Sequence, residues 1–390
     1  MAFALPKLRD ALYGALRGDA RALTERELSQ TINFARITLI VGLVFLHYDS
    51  YPNSRANPFR GLDTGEHQVA TFVNSFVLFF FFSVVPLLSM VSGWLFFSFT
   101  ANPQANPREA LLQRMRRRFV SLYLPLLFWN AVFLGILLLL YAADPANRLL
   151  QEINIDFTTA GLRDYVNAVF AITHHPVGFQ FWFVRDLFVT ALVSPLLWLL
   201  LRYAPLPGAL LLGAAWITGH DLWIFFRSDV VFFFYLGALV RMRGVPVEIG
   251  WNATLAFLAL YIVLVALRTL APYAIDGVPM LLSWSTRAMR LAGVLACWGL
   301  FIRLAPTPFG SRVARYGGLA FFLHAAHFPL LAEVKILLWD LVPAETDGWM
   351  IAHYAASVAV TVTIGIAAGL LLARWKPQWF ALLNGGRLVG

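Results

Sequence analysis

Cysteine is all but missing from these 390 residues: Cys297 stands alone, inside an apolar run. One thiol forms no internal disulfide, and no Cys or His sits near it at a metal-ligand spacing, so a disulfide-stapled secreted module is excluded. Charge is scarce too. Only 13% of the residues are charged and 59% are hydrophobic, against about 25% and 45–50% in an average soluble domain. A water-soluble enzyme of this size cannot hide so much apolar surface behind so little charge. Acidic side chains are the scarcer sign, 21 against 30 Lys and Arg, for a net charge of +9. In a soluble chain that excess would suggest nucleic acid. Here the basic residues fall in short loops between apolar runs, the positive-inside pattern of a membrane protein, and no nucleic-acid partner is expected. Also absent are a GxSxG elbow, a Walker loop, an HExxH helix and a dinucleotide fingerprint, so hydrolase, nucleotide-triphosphatase and zinc-protease readings have no support.

What is present is a series of apolar runs near the length that crosses a bilayer, about 20 residues. Ten are expected, at roughly 33–51, 72–99, 119–142, 181–203, 207–226, 229–243, 252–272, 284–304, 317–341 and 348–374. The sixth is short, and only a few residues around Arg227–Ser228–Asp229 part it from the fifth. The expected fold is all-α, a polytopic transmembrane helix bundle in the inner or plasma membrane. Most Lys and Arg fall on one side if both termini are cytoplasmic. Three parts follow: a basic amphipathic segment (1–32), a transmembrane domain (33–374) and a cytoplasmic tail (375–390). In the first, Leu5, Leu8, Leu12, Leu16 and Leu23 lie at helical spacing among basic residues, which suits a membrane-surface helix. Thr24 and Glu27 have capping-box spacing for a new helix. The longest stretch between runs, 143–180, is the one part large enough for a small outer cap where an acceptor is met.

Ionisable groups at membrane depth are costly and mark function by default. Arg36 and His47 are 11 residues apart, about 1,100° of helical rotation, so they share a face with a rise of about 16 Å. Asp49 follows close behind. Arg114, Arg116, Arg117 and Arg118 form a cluster that serves either as a topology signal or as guanidinium forks for a phosphate-rich ligand. Ser92–Gly93 is a small pair that permits close helix packing. His324 and His327, three apart, adjoin on one face, but no carboxylates in register complete a metal site, and no metal is expected.

Taken in order, these pieces resemble the acyltransferase family 3 integral membrane proteins, which modify cell-envelope and secreted glycans. The resemblance rests on Arg36, ten residues, then His47; on Phe79–Phe82 to Ser92–Gly93; on Arg114 to Arg118 with Tyr123–Leu124–Pro125; on Trp182–Phe183 with Pro195; on Phe234–Ala238; and on His324 to Pro329. It implies an acyl-CoA donor, acetyl-CoA by default, arriving from the cytoplasm near the arginines, and a glycan or glycolipid hydroxyl as acceptor. His47, neutral, is then the expected general base. Arg36 stays protonated, so it holds the donor or fixes the helix face. An acyl-histidine intermediate is a second route. His327, Trp182, Ser92 and Asp49 are further cavity candidates. The competing class is a transporter or flippase of a lipid-linked glycan, which needs no CoA; no inverted repeat supports it.

Overall fold

A computed structural model describes residues 13–387 apart from 19, 53, 66, 152, 275–278 and 344. Leu5, Leu8 and Leu12 of the expected surface helix lie outside the described residues; 13–17 are helical. Among the described residues the regular structure is helical throughout, and each of the ten expected runs falls on a helix. Six helices are long and apolar enough to cross a membrane: Glu25–Leu46, Gln68–Phe96, Pro107–Ala143, Trp251–Ala271, Pro308–Leu341 and Asp347–Trp375. A seventh crossing results if Phe179–Leu192 and Ser194–Tyr203, bent by 60° about Val193, count as one. Pro205–Thr218 and Ser228–Met242 have 14 and 15 residues. At 1.5 Å per residue they rise only about 21–23 Å, short of a hydrocarbon layer of about 30 Å.

The first long helix is the hub. It packs against Gln68–Phe96, Pro279–Leu304, Pro308–Leu341 and Asp347–Trp375, and buries Phe34, Ile37, Leu39, Ile40, Leu43 and Val44 among them. Its start is fixed as the sequence requires. The Glu27 N–H donates to Thr24 Oγ1 at 3.3 Å, and the Thr24 N–H returns to Glu27 Oε2 at 2.9 Å. Gln68–Phe96 and Ser228–Met242 cross so closely that a Cβ on Gly93 would overlap the Phe234 carbonyl oxygen, and one on Gly237 that of Met90. Glycine is needed at both points of this crossing. Outward-facing Ile136, Leu139, Leu199 and Leu210 are exposed, as a lipid-facing surface demands.

Two prolines shape the interior through the hydrogen bonds they omit. Pro329 breaks Pro308–Leu341, with Phe328 at φ −117, ψ 130. It has no N–H for the Ala325 carbonyl four residues back. Gln180 Nε2 donates there instead at 3.0 Å, and to Phe328 O at 3.2 Å. Pro125 likewise leaves the Ser121 carbonyl without its α-helical donor, just where Phe119–Tyr123 forms a π-helical turn. Arg387 Nη1, from the C-terminal segment, donates to that carbonyl at 3.2 Å. Backbone groups freed at membrane depth need such replacements, because lipid supplies none.

Buried charge is concentrated in one further place. Asp229, 2% exposed at its side chain, accepts from Arg227 Nη2 at 2.6 Å and from Arg290 Nη1 at 3.0 Å. Nearby Asp186 accepts from Arg185 at 2.9 Å and from the N–H groups of Phe226 and Arg227 at 3.1 and 2.8 Å. Asp186 holds the 219–228 loop against the Trp182–Leu192 helix, and Asp229 ties the start of Ser228–Met242 to Pro279–Leu304.

Candidate active site

His47 sits immediately after the last turn of the first long helix, and its position is tightly set. Its N–H bonds to Leu43 O at 3.0 Å. Asp49 then takes a left-handed backbone, φ +60, which ends the helix. Four carbonyls around this helix end find side-chain donors. Tyr354 OH donates to Phe45 O at 2.9 Å, Lys335 Nζ to Tyr48 O and Ser50 O at 3.4 and 3.3 Å, and Asn74 Nδ2 to Asp49 O at 2.9 Å.

The His47 ring lies parallel to that of His327, centroids 5.1 Å apart and planes 12° apart, with Nδ1 2.8 Å from His327 Nε2. The far side of His327 settles which nitrogen carries which proton. His327 Nδ1 is 2.7 Å from the His324 carbonyl oxygen. A carbonyl only accepts, so Nδ1 of His327 bears the hydrogen. With both rings neutral, His327 Nε2 is an acceptor, His47 Nδ1–H donates to it, and His47 Nε2 keeps a free lone pair. That nitrogen belongs to a side chain lining a cavity of about 240 Å³ with Tyr48, Asp49, Phe59, Phe179, Phe328 and Lys335. Tyr48 OH and His353 repeat the same logic nearby: His353 Nε2 donates to Lys335 O at 3.0 Å, so its Nδ1 accepts from the tyrosine at 2.9 Å.

Phe179 meets the His47 ring edge-on, centroids 4.9 Å apart, and also lines a larger cavity of about 710 Å³. That cavity is built by the 143–180 segment. Asn154, Asp164, Asn167, Thr173, His174 and His175 face Trp182, Phe226 and Arg227 there, with the Arg227 guanidinium 4.7 Å above the Trp182 ring. Burial, reinforced by Arg227, Arg185 and His174, holds the His175 imidazole below its ordinary range. The cavity thus sets flat apolar rings beside amide, carboxyl and guanidinium groups.

Arg36 points into a different space. It lines a narrow cavity of about 110 Å³ with Ser92, Arg118, Phe183, Phe321, His324 and Arg387. Arg118 Nη2 donates to Ser92 Oγ at 2.9 Å. His324 is 2% exposed and neither of its ring nitrogens has a partner among the described residues. Its ring centroid is 5.7 Å from that of His327. Arg36 and His47 therefore share a helix but line two cavities, with His324 and the fully buried His327 between them.

The four clustered arginines separate as well. Arg114 braces helix ends, donating to Leu95 O and Ser98 Oγ, each at 3.0 Å. Arg116 and Arg117 are exposed on an open depression of about 580 Å³ shared with Gln113, Ser121 and Arg387. Only Arg118 reaches the interior cavity. The 100° step predicts part of this split: 118 lies about 40° from 114, whereas 116 and 117 lie about 160° and 100° round the helix from 118. Sequence reasoning missed Arg387, Arg227 and Lys335 as parts of these cavities, and Gln180 as the donor at the helix break beside them. No local pattern marks them, because each is brought in by a distant segment.

Residues 30–373 match the family model described as an acyltransferase domain. The chain is 27% identical over 374 residues to the succinoglycan biosynthesis protein ExoH of Rhizobium meliloti (strain 1021), an alignment covering 93% of this chain and 94% of that protein. No solved structure matches.

Proposed function

We propose a function from one premise: the chain belongs to the acyltransferase family whose model spans residues 30–373. It is a membrane acyltransferase, and its reading is transfer of an acyl group, acetyl by default, from acyl-CoA to a hydroxyl of an exopolysaccharide or its lipid-linked precursor. The similarity to a succinoglycan biosynthesis protein supports the acceptor class. The arginine-rich end of the bundle, by the positive-inside bias, faces the cytoplasm and admits the donor. Arg118 and Arg36 take its phosphates, and the acyl end extends past His324 towards the histidine pair. The sugar enters through the aromatic cavity on the opposite end.

The observation that carries the reading is the run of contacts from the His324 carbonyl through His327 to His47 Nδ1, which with both rings neutral leaves His47 Nε2 as the acceptor. As the sugar oxygen attacks the thioester carbonyl carbon, Nε2 takes the hydroxyl proton. The C–O bond forms and a tetrahedral oxyanion develops. Its collapse breaks the C–S bond, and the imidazolium returns the proton to the departing CoA thiolate, leaving ester and free thiol. Throughout, Nδ1–H stays bonded to His327, so the ring does not turn between taking and giving the proton.

The test uses purified protein in lipid nanodiscs, labelled acetyl-CoA and oligosaccharide cut from the polysaccharide. General-base loss is worth about 10²–10⁴ in rate, so His47→Ala is expected to fall by that factor while remaining folded. A folded His47→Ala protein with full activity ends the assignment.

A further inference from the structure

Past the family domain, the helix Pro377–Leu383 turns the chain back onto the bundle. Phe380, 1% exposed, packs on Phe322 with centroids 5.8 Å apart. Trp129 Nε1 donates to Leu383 O at 3.0 Å. Asn384 is fully buried and serves as a cap for another helix: its Oδ1 accepts from the Phe322 N–H at 3.0 Å, and its Nδ2 donates to Gly318 O at 2.8 Å. Gly385 and Gly386 follow with φ +63 and +76, and a Cβ on Gly385 would overlap the Ser121 carbonyl. This turn is open to glycine and strained for other residues. It sends Arg387 inward.

Arg387 lies where two cavities meet. It lines the narrow one with Arg36, Arg118 and His324, and the open one with Arg116 and Arg117. Nη1 donates to Ser121 O and Asn384 O at 3.2 and 3.0 Å, and the guanidinium lies 4.8 Å over the Phe321 ring. Those contacts aim the group and leave Nε and Nη2 without a hydrogen bond among the described residues. Arg36 and Arg118 are within electrostatic range of it. None of the three makes an ion pair with a carboxylate among the described residues. Guanidinium charges partly withdrawn from water without a counter-charge are costly, and three of them together suit a multiply charged anion whose oxygens they can share.

We propose that Arg387, with Arg36 and Arg118, forms a phosphate site that grips the diphosphate of acyl-CoA at the entry to the interior cavity, making the C-terminal tail part of the donor site. This rests on the acyl-CoA reading above. An anionic phospholipid headgroup offers the same chemistry, and the experiment separates the two. Arg387 is a binding residue and takes no proton.

Wild-type protein, Arg387→Ala, Arg387→Lys and Gly385→Val are placed in phosphatidylcholine nanodiscs and titrated with CoA and with pantetheine, which lacks the diphosphate. Arg387→Ala is expected to weaken CoA at least tenfold, about 1.4 kcal/mol, and to leave pantetheine unchanged. Gly385→Val, which removes no charge, follows it, and Arg387→Lys recovers part of the loss. An assembled Arg387→Ala protein with wild-type CoA affinity overturns the proposal, as does equal weakening of pantetheine. If wild-type protein binds no CoA, the donor reading fails, and inorganic pyrophosphate then tests the site alone: binding that Arg387→Ala abolishes sustains it, and no binding by wild type overturns it. Retention of phosphatidylglycerol by wild type but not by Arg387→Ala, with no displacement by CoA, assigns the site to lipid and overturns the donor role.

Discussion

His327→Ala separates an oriented base from a merely present one. Among the described residues His47 Nδ1 has one partner, His327 Nε2, at 2.8 Å. Deleting that ring leaves the Nδ1–H donor facing a space emptied of its acceptor. A lost neutral hydrogen bond costs about 1 kcal/mol, and an unsatisfied buried donor about 1–3 kcal/mol. The ring escapes the larger penalty by moving its proton to Nε2, the form that cannot act as the base. Restoring the productive tautomer then costs about 1.4–2.7 kcal/mol, a tenfold to hundredfold fall in kcat at 1.36 kcal/mol per decade. KM for acyl-CoA is expected to stay within about twofold, because the proposed phosphate site lies in another cavity. The decisive comparison is the double variant. His327 acts through His47, so adding His327→Ala to His47→Ala should cost nothing further. Steady-state rates of all three variants, on protein shown to be monodisperse, read this directly. Wild-type kcat in His327→Ala, or losses that multiply in the double variant, would refute the orientation argument.

Two further predictions concern the scaffold. Gln180→Leu removes both donors that serve the Ala325 and Phe328 carbonyls, so unfolding in detergent is expected to become easier by about 2–3 kcal/mol; an unchanged denaturation midpoint would show that the helix break satisfies itself. Asp229→Asn strands Arg290, whose side chain is 8% exposed, at about 3–5 kcal/mol. The pair Asp229→Leu with Arg290→Met should recover most of that stability, and failure to recover would mean the charge is not what the carboxylate supplies.

The sequence carried the elements well and their partnerships poorly. The apolar runs and the Thr24–Glu27 cap follow from composition and local spacing, although only six or seven described helices are long and apolar enough to cross a membrane where ten crossings are expected. Spacing also puts Arg36 and His47 on one expected face. The division of that face between two cavities does not follow from spacing. It depends on His327, 280 residues away in the chain, and on the helix break at Pro329. A proline in an apolar run says that a carbonyl is freed, but nothing local says that Gln180 will serve it. The four clustered arginines show an intermediate case: the helical step separates Arg118 from Arg116 and Arg117, yet which face looks inward is a tertiary fact. Residues 375–390 read as a cytoplasmic tail because seven helical residues and two glycines have no periodicity to reveal docking. Phe380 and Asn384 are buried by surfaces that form only when the bundle does.

The buried imidazoles between the cavities also bear on how transfer would be gated. His327 has no exposed surface and lines neither the Arg36 cavity nor the His47 cavity, so in this conformation it stands as a wall between the two. On the proposed reading an acyl end held beside Arg36 meets a hydroxyl at His47 only when that wall shifts, and the helix broken at Pro329 is the element that carries it.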